Sequence, residues 1–223
     1  MAQIRRTPGK PYEVAGRRTH ITIRHKKEDC MFSIKEYIQA SIDTKQKILK
    51  DEAIQEKIRS AALAMVSAIR NGHKVLSAGN GGSAADAQHF AGELVSKFFF
   101  DRPGLPAFSL ATDTSVLTAI GNDYGYEHSF ERQVQAVGQK GDVLLGISTS
   151  GNSKNIVAAV LEAKKKGIMT VALTGAKDCA LDTLCDTVIK VPSSSTPTIQ
   201  ESHIMIEHMI CAIVEDEIFG ERK

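Results

Sequence analysis

The stretch Val75-Leu76-Ser77-Ala78-Gly79-Asn80-Gly81-Gly82-Ser83 decides the fold. It joins a short apolar run to a glycine-rich turn, and a helical pattern over Ala84–Phe98 follows. The run does not alternate with polar residues, so it reads as a strand buried on both faces. Comparable runs recur at Ala107–Leu110, Val143–Ile147, Thr170–Leu173 and Thr187–Val191. Helical stretches separate them, over Thr114–Ile120, Ser129–Val137, Asn155–Lys166 and a short one near Cys179–Leu184. Buried strands alternating with helices predict a parallel sheet covered on both sides. Upstream, Ser33-Ile34-Lys35-Glu36 has the capping-box pattern and opens a helix to about Leu49. Ile54, Ile58, Ala62, Met65 and Ile69 trace a second helix, which Asn71-Gly72 ends. A long helix from about Ile199 to Phe219 closes the chain. The predicted fold is an α/β three-layer sandwich with two extra N-terminal helices.

Composition agrees with one soluble domain. The 223 residues are 42% hydrophobic and 24% charged, enough for one sizeable core and ordinary for a globular chain. No apolar run approaches the roughly 18 residues a membrane span requires. Cys30, Cys179, Cys185 and Cys211 have no CxxC spacing, which argues against a zinc ribbon or a redox motif. So few cysteines in a chain of this length point to reduced thiols and a cytoplasmic protein. Trp is absent and aromatics are 5%, which speaks against stacking platforms for nucleic acid.

The formal net charge of +2 is unevenly placed. Residues 1–30 carry eight Lys/Arg and three acids, and the rest carries 20 and 23, so the body is mildly acidic. Nothing in that body suggests a phosphate-backbone binder. Pro8, Gly9, Pro11 and Gly16 punctuate the first thirty residues, which show no useful period. Their Arg-Arg pairs lack the apolar run of an export signal, and a transit peptide would carry Ser and few acids. A basic tail touching nucleic acid or lipid is a further option. The preferred reading is that 1–30 is a basic appendage, vector-derived or an upstream extension, and that 31–223 is a single domain starting at Met31.

In parallel sheets of this kind the ligand sits beyond the carboxyl ends of the strands. Gly79-Asn80-Gly81-Gly82-Ser83 leads from the first strand into a helix, where close backbone approach and free N–H groups suit an anion. It is neither a P-loop nor GxGxxG. The plain alternative is a turn capped by Ser83. Ser148-Thr149-Ser150-Gly151-Asn152-Ser153 follows the third strand, and its hydroxyls would hold a phosphate without a fixed cation. The plain alternative there is an N-cap rich in small polar residues. His89 and Glu93 stand at i, i+4, as a metal pair, an acid/base pair or a surface pair. His203 and Glu207 share that spacing on the last helix and read as a surface pair. Gln200 and His208 lie eight residues apart there, a rise of about 12 Å.

Together GNGGS, STSGNS and the QESH…H helix resemble the sugar isomerase (SIS) domain, most closely the bacterial phosphoheptose isomerases. The resemblance runs from about Met31 to Glu217. It includes Asp86-Ala87-Gln88-His89-Phe90-Ala91-Gly92-Glu93-Leu94, Arg102-Pro103-Gly104, Gly121-Asn122-Asp123 and the Gly141–Ser148 strand. It implies a five-stranded parallel sheet in flavodoxin-like order. It also implies a homotetramer with active sites between subunits. The implied substrate contacts are Asn80, Gly81, Gly82, Glu93, Asn122, Asp123, Ser148, Thr149, Ser150, Ser153 and Gln200. The implied zinc ligands, one ion per subunit, are His89, Glu93, Gln200 and His208. Two positions depart from the family pattern: Lys97 stands where Arg is frequent, and Pro197 where an acid is frequent.

The implied reaction converts sedoheptulose 7-phosphate to D-glycero-D-manno-heptose 7-phosphate through an enediol. It needs a base, an acid and stabilisation of the developing oxyanion. Glu93 is the candidate base and His208 the candidate acid; with zinc bound, both become ligands. Gln200 and His208 are far apart along one helix, so a neighbouring subunit supplying one of them is the easier geometry. The alternative reading is a non-catalytic tetrameric SIS protein that binds the replication initiator. Those relatives lack the equivalents of Glu93 and His208. A sugar-phosphate-sensing regulator would normally carry a DNA-binding module, for which residues 1–30 are too short.

Overall fold

A computed structural model describes residues 32–220. The reading of residues 1–30 lies outside them. Two helices come first, α1 (Ile34–Lys50) and α2 (Glu52–Arg70), separated by Asp51, whose carboxylate accepts the Ile54 N–H at 3.0 Å and caps α2. The alternating part follows: β1 (Val75–Gly79), α3 (Gly82–Val95), β2 (Ala107–Ser109), α4 (Thr114–Asp123), α5 (Glu131–Val137) and β3 (Val143–Ile147). It continues through α6 (Lys154–Lys165), β4 (Met169–Thr174), α7 (Leu181–Leu184), β5 (Thr187–Lys190) and α8 (Thr196–Phe219).

The five strands form one parallel sheet in the order β2-β1-β3-β4-β5. This is the flavodoxin-like order, with its switch point between β1 and β3. Alternate residues of each strand serve opposite faces. Val143, Leu145 and Ile147 join an apolar cluster with Met65 of α2, Phe90 and Leu94 of α3, and Ile206 and Ile210 of α8. Leu144 joins a second cluster with Val134 of α5 and Ile156 and Val160 of α6. Each fully buried side chain of this size contributes roughly 1.5–3 kcal/mol, so both faces need their helices. The three-layer sandwich follows from that double burial.

Element ends differ from the sequence reading for identifiable reasons. The helix expected to reach Phe98 stops at Val95. There Arg102 donates to the carbonyls of Glu93 at 2.9 Å, Leu94 at 2.6 Å and Ser96 at 3.0 Å. The guanidinium satisfies terminal carbonyls that a continuing helix would have satisfied. The last helix begins at Thr196, with Pro197 in its first turn, where a missing N–H breaks no helical bond. Helix α4 runs on to Asp123, and a single 3-10 turn (Tyr126–His128) precedes α5. Among the described residues, no helix is long and apolar enough to cross a membrane.

Candidate active site and metal-ligating cluster

Two loops meet at the switch point. After β1, Gly81 turns the chain with φ 56° into α3, and the Ser83 and Ala84 N–H groups return to the carbonyls of Asn80 and Gly81 at 3.0 Å. No side chain caps this helix, and Ser83 is buried, so the alternative of a turn capped by Ser83 is not formed. After β3, Gly151 turns the second loop with φ 63°. Ser153 is the N-cap of α6, yet its hydroxyl makes no capping bond and lies 3.0 Å from that of Ser148. Ser150 Oγ accepts the Asn152 N–H at 3.2 Å, which leaves its own proton to donate outward. The hydroxyls are thus not consumed by the helix they precede. The loop is braced from behind. Ala180 N–H donates to Asn152 Oδ1 at 2.9 Å, and Leu181 N–H donates to the Gly151 carbonyl at 3.3 Å. Beside it opens a cavity of about 200 Å³ bounded by Thr149, Ser150, Asn152, Lys177 and Ser194.

Asn80 sits between the loops. Its Nδ2 donates to Asn155 Oδ1 at 2.8 Å, and its Oδ1 accepts Asn155 Nδ2 at 2.8 Å and the Tyr126 hydroxyl at 2.8 Å. Asn122 and Asp123 lie exposed at the end of α4, where Asn122 Nδ2 donates to Asp123 Oδ1 at 2.8 Å. Gln200 packs over Gly82: a Cβ added at that glycine would stand 2.6 Å from Gln200 Nε2. This close approach explains the second glycine of the pair.

Further along the same two helices, a cluster forms from one chain. His89 Nε2 is 3.2 Å from Glu93 Oε1 and 2.9 Å from His208 Nε2. All three offer ligand atoms within 4.8 Å of one another, although His89 and His208 are 119 residues apart in sequence. Two imidazoles and a carboxylate are a donor set that suits zinc. Phe98 covers one side, its ring 5.6 Å from that of His208. Gln200 lies beside Gly82, earlier on the same pair of helices. Gly82 is seven residues and about 10 Å of helix rise before His89.

Behind the cluster, Glu215 and Arg102 form a fully covered ion pair at 2.9 Å. Burial alone would raise the Glu215 carboxyl. The Phe98 N–H at 2.9 Å, the Phe99 N–H and the Arg102 guanidinium outweigh it and hold the group below the usual carboxylate range. His203 and Glu207 are not the surface pair the spacing suggested, since both are fully buried. Helix α8 packs against α2, α3 and β4 together, so its polar residues are covered as well. Burial, then the nearby Asp86, raises the Glu207 carboxyl to about 9. Burial lowers His203 to about 4, opposed by its contact with the Thr174 carbonyl at 3.2 Å.

Sequence reasoning missed Asn155, Tyr126, Ser129 and the Arg102–Glu215 brace as contributors. Their partners lie 26 to 113 residues away, and no local pattern marks such pairs.

Comparison with known proteins agrees with this fold. The SIS domain family model matches residues 36–175. A phosphoheptose isomerase from Aneurinibacillus thermoaerophilus is 60% identical over 189 residues, covering 85% of this chain and 96% of that protein. Phosphoheptose isomerase 2 of Campylobacter jejuni is 60% identical over 188 residues, covering 84% of this chain and 94% of that protein. Among solved structures, a phosphoheptose isomerase from Francisella tularensis superposes with a TM-score of 0.79 at 42% identity, covering 82% of this chain and 96% of that one. With the sheet order and the site loops in hand, these matches place the chain in the SIS-domain family of isomerases, in its phosphoheptose isomerase branch.

Proposed function

We propose that this chain isomerises sedoheptulose 7-phosphate to D-glycero-D-manno-heptose 7-phosphate through an enediol, for bacterial heptose biosynthesis leading to lipopolysaccharide or capsule. Residues 31–223 act as one SIS-type domain, in a cytoplasmic homotetramer with its sites between subunits. The observation that carries this reading is the meeting of His89, Glu93 and His208 in one cluster. The names of the relatives at 60% identity supply the heptose.

The phosphate is held by the hydroxyls and N–H groups of Ser148–Ser153 at the start of α6. The glycine loop, with Asn80, Gly81 and Gly82, lies against the sugar chain, and Asn122, Asp123 and Gln200 contact its hydroxyls. When no metal is bound, Glu93 takes the proton from one of the two reacting carbons and His208 protonates the developing oxyanion. His89, Glu93 and His208 would hold zinc, with Gln200 of a neighbouring chain as the fourth ligand. Zinc bound there supplies Lewis-acid polarisation of the carbonyl. An apolar cavity of about 1010 Å³ on α1, α2 and α8, lined by Ile42, Leu49, Met205, Met209 and Ile213, supports docking of further copies.

The test is direct. Purified protein is incubated with sedoheptulose 7-phosphate and the sugar followed by NMR, with and without a chelator and after zinc analysis. Conversion is expected. Its loss on chelation, with recovery on adding zinc, assigns the cluster to the metal. Conversion unaffected by chelation assigns it to Glu93 and His208 as base and acid. No conversion by zinc-replete oligomer would overturn the substrate.

A further inference from the structure

We infer that Asn155 and Tyr126 are positioning residues that lock the two ligand loops together through Asn80. The reciprocal amide pair between Asn80 and Asn155 uses two hydrogen bonds of 2.8 Å and joins the turn after β1 to the first turn of α6. Tyr126 adds a third at 2.8 Å from the turn that follows α4. Asn155 is 3% exposed, and its Nδ2 also reaches Ser129 Oγ at 3.2 Å. Ser129 is fully buried. Three segments distant in sequence therefore converge on one side chain.

The consequence concerns what Asn80 presents. Its Oδ1 already accepts two hydrogen bonds, which fills both lone pairs of an amide oxygen. Its Nδ2 donates one of two hydrogens to Asn155. A single N–H remains for a ligand, and its direction is fixed by the pair. Asn80 thus meets the substrate as one aimed donor facing a hydroxyl or carbonyl oxygen. Tyr126 is largely exposed, so its hydroxyl acts on this orientation and adds little to the core. The inference rests on reading the two loops as the substrate cradle.

The test compares wild type with Tyr126→Phe and Asn155→Ala. Kinetics use sedoheptulose 7-phosphate, and hydrogen exchange follows the backbone amides of Asn80–Ser83. Loss of one neutral hydrogen bond should raise KM about three- to tenfold in Tyr126→Phe, with kcat within about twofold and the melting temperature unchanged. Asn155→Ala should raise KM further. Both variants should exchange faster in the glycine loop. Merely structural damage would lower the active fraction, and so kcat, at an unchanged KM. That pattern, or unchanged KM and unchanged exchange in Asn155→Ala, would overturn the inference. If wild type converts none of this sugar, the substrate assignment fails and exchange alone decides. Faster exchange then supports the lock, and unchanged exchange removes it.

Discussion

His203 shows how much one covered side chain shapes pH behaviour. Its Nε2 donates to the Thr174 carbonyl at 3.2 Å, and burial keeps the ring neutral down to about pH 4. In the unfolded chain the same imidazole takes a proton near pH 6.5. Between these values the unfolded state binds more protons, so stability rises with pH. The contribution is complete above about 6.5 and is lost as pH falls toward 4, for a total of about 3 kcal/mol. Glu207 has the opposite sign: its raised carboxyl withdraws stability as pH climbs from the unfolded value near 4.5 toward 9. His203→Gln keeps a donor for Thr174 but cannot titrate. The gap in unfolding free energy between wild type and His203→Gln should therefore close in favour of the variant as pH drops from 7 to 4.5. Denaturant melts at five or six pH values would read it. A gap that stays constant would mean the ring is not held neutral.

Elements were legible to different depths. The central strands β1, β3 and β4 could be read because each is a largely apolar run buried on both faces, which only a doubly covered sheet accommodates. The two loops could be read because glycine and serine cluster where a strand gives way to a helix. Helix α8 was harder: Ile199, Ile206, Ile210 and Val214 mark a buried stripe, but nothing local says that His203 and Glu207 are buried too. It begins a few residues earlier than expected, with Pro197 in the first turn, where its missing N–H breaks no helical bond. The loop before α6 yields an element-scale prediction. The hydroxyls of Ser150 and Ser153 are free of capping duty, so their loss should fall on ligand binding. Ser150→Ala and Ser153→Ala should each raise KM for the sugar phosphate by about one to two decades, as for a hydrogen bond to a charged group worth roughly 1.5–3 kcal/mol. Melting temperatures should move little. Unchanged KM in both variants would place the phosphate elsewhere.

At the scale of the assembly, α8 carries both Gln200 and His208, the two residues of which a neighbouring chain was expected to supply one. His208 needs no neighbour to reach His89 and Glu93, because α3 and α8 lie side by side and bring all three within 4.8 Å. Gln200 stands level with Gly82, about 10 Å of helix rise from His89. Closing that span within one chain would need the Gln200 and His89 side chains to stretch toward each other to reach ligand distances of ~2.0–2.2 Å. The easier geometry has Gln200 completing the zinc site of another chain. Complementation separates the possibilities. Mixed tetramers of inactive His89→Ala and inactive Gln200→Ala subunits should regain part of the activity and of the zinc. Some interfaces would then pair an intact cluster with an intact Gln200. Mixed tetramers of His89→Ala and His208→Ala should regain none, since each variant spoils the same cluster within its own chain. The measurement requires tetramers shown to exchange subunits, with turnover and zinc content read together. Recovery in the second mixture would break the one-chain cluster. No recovery in the first would remove Gln200 from a shared site, and a fully active monomer would remove the interface altogether.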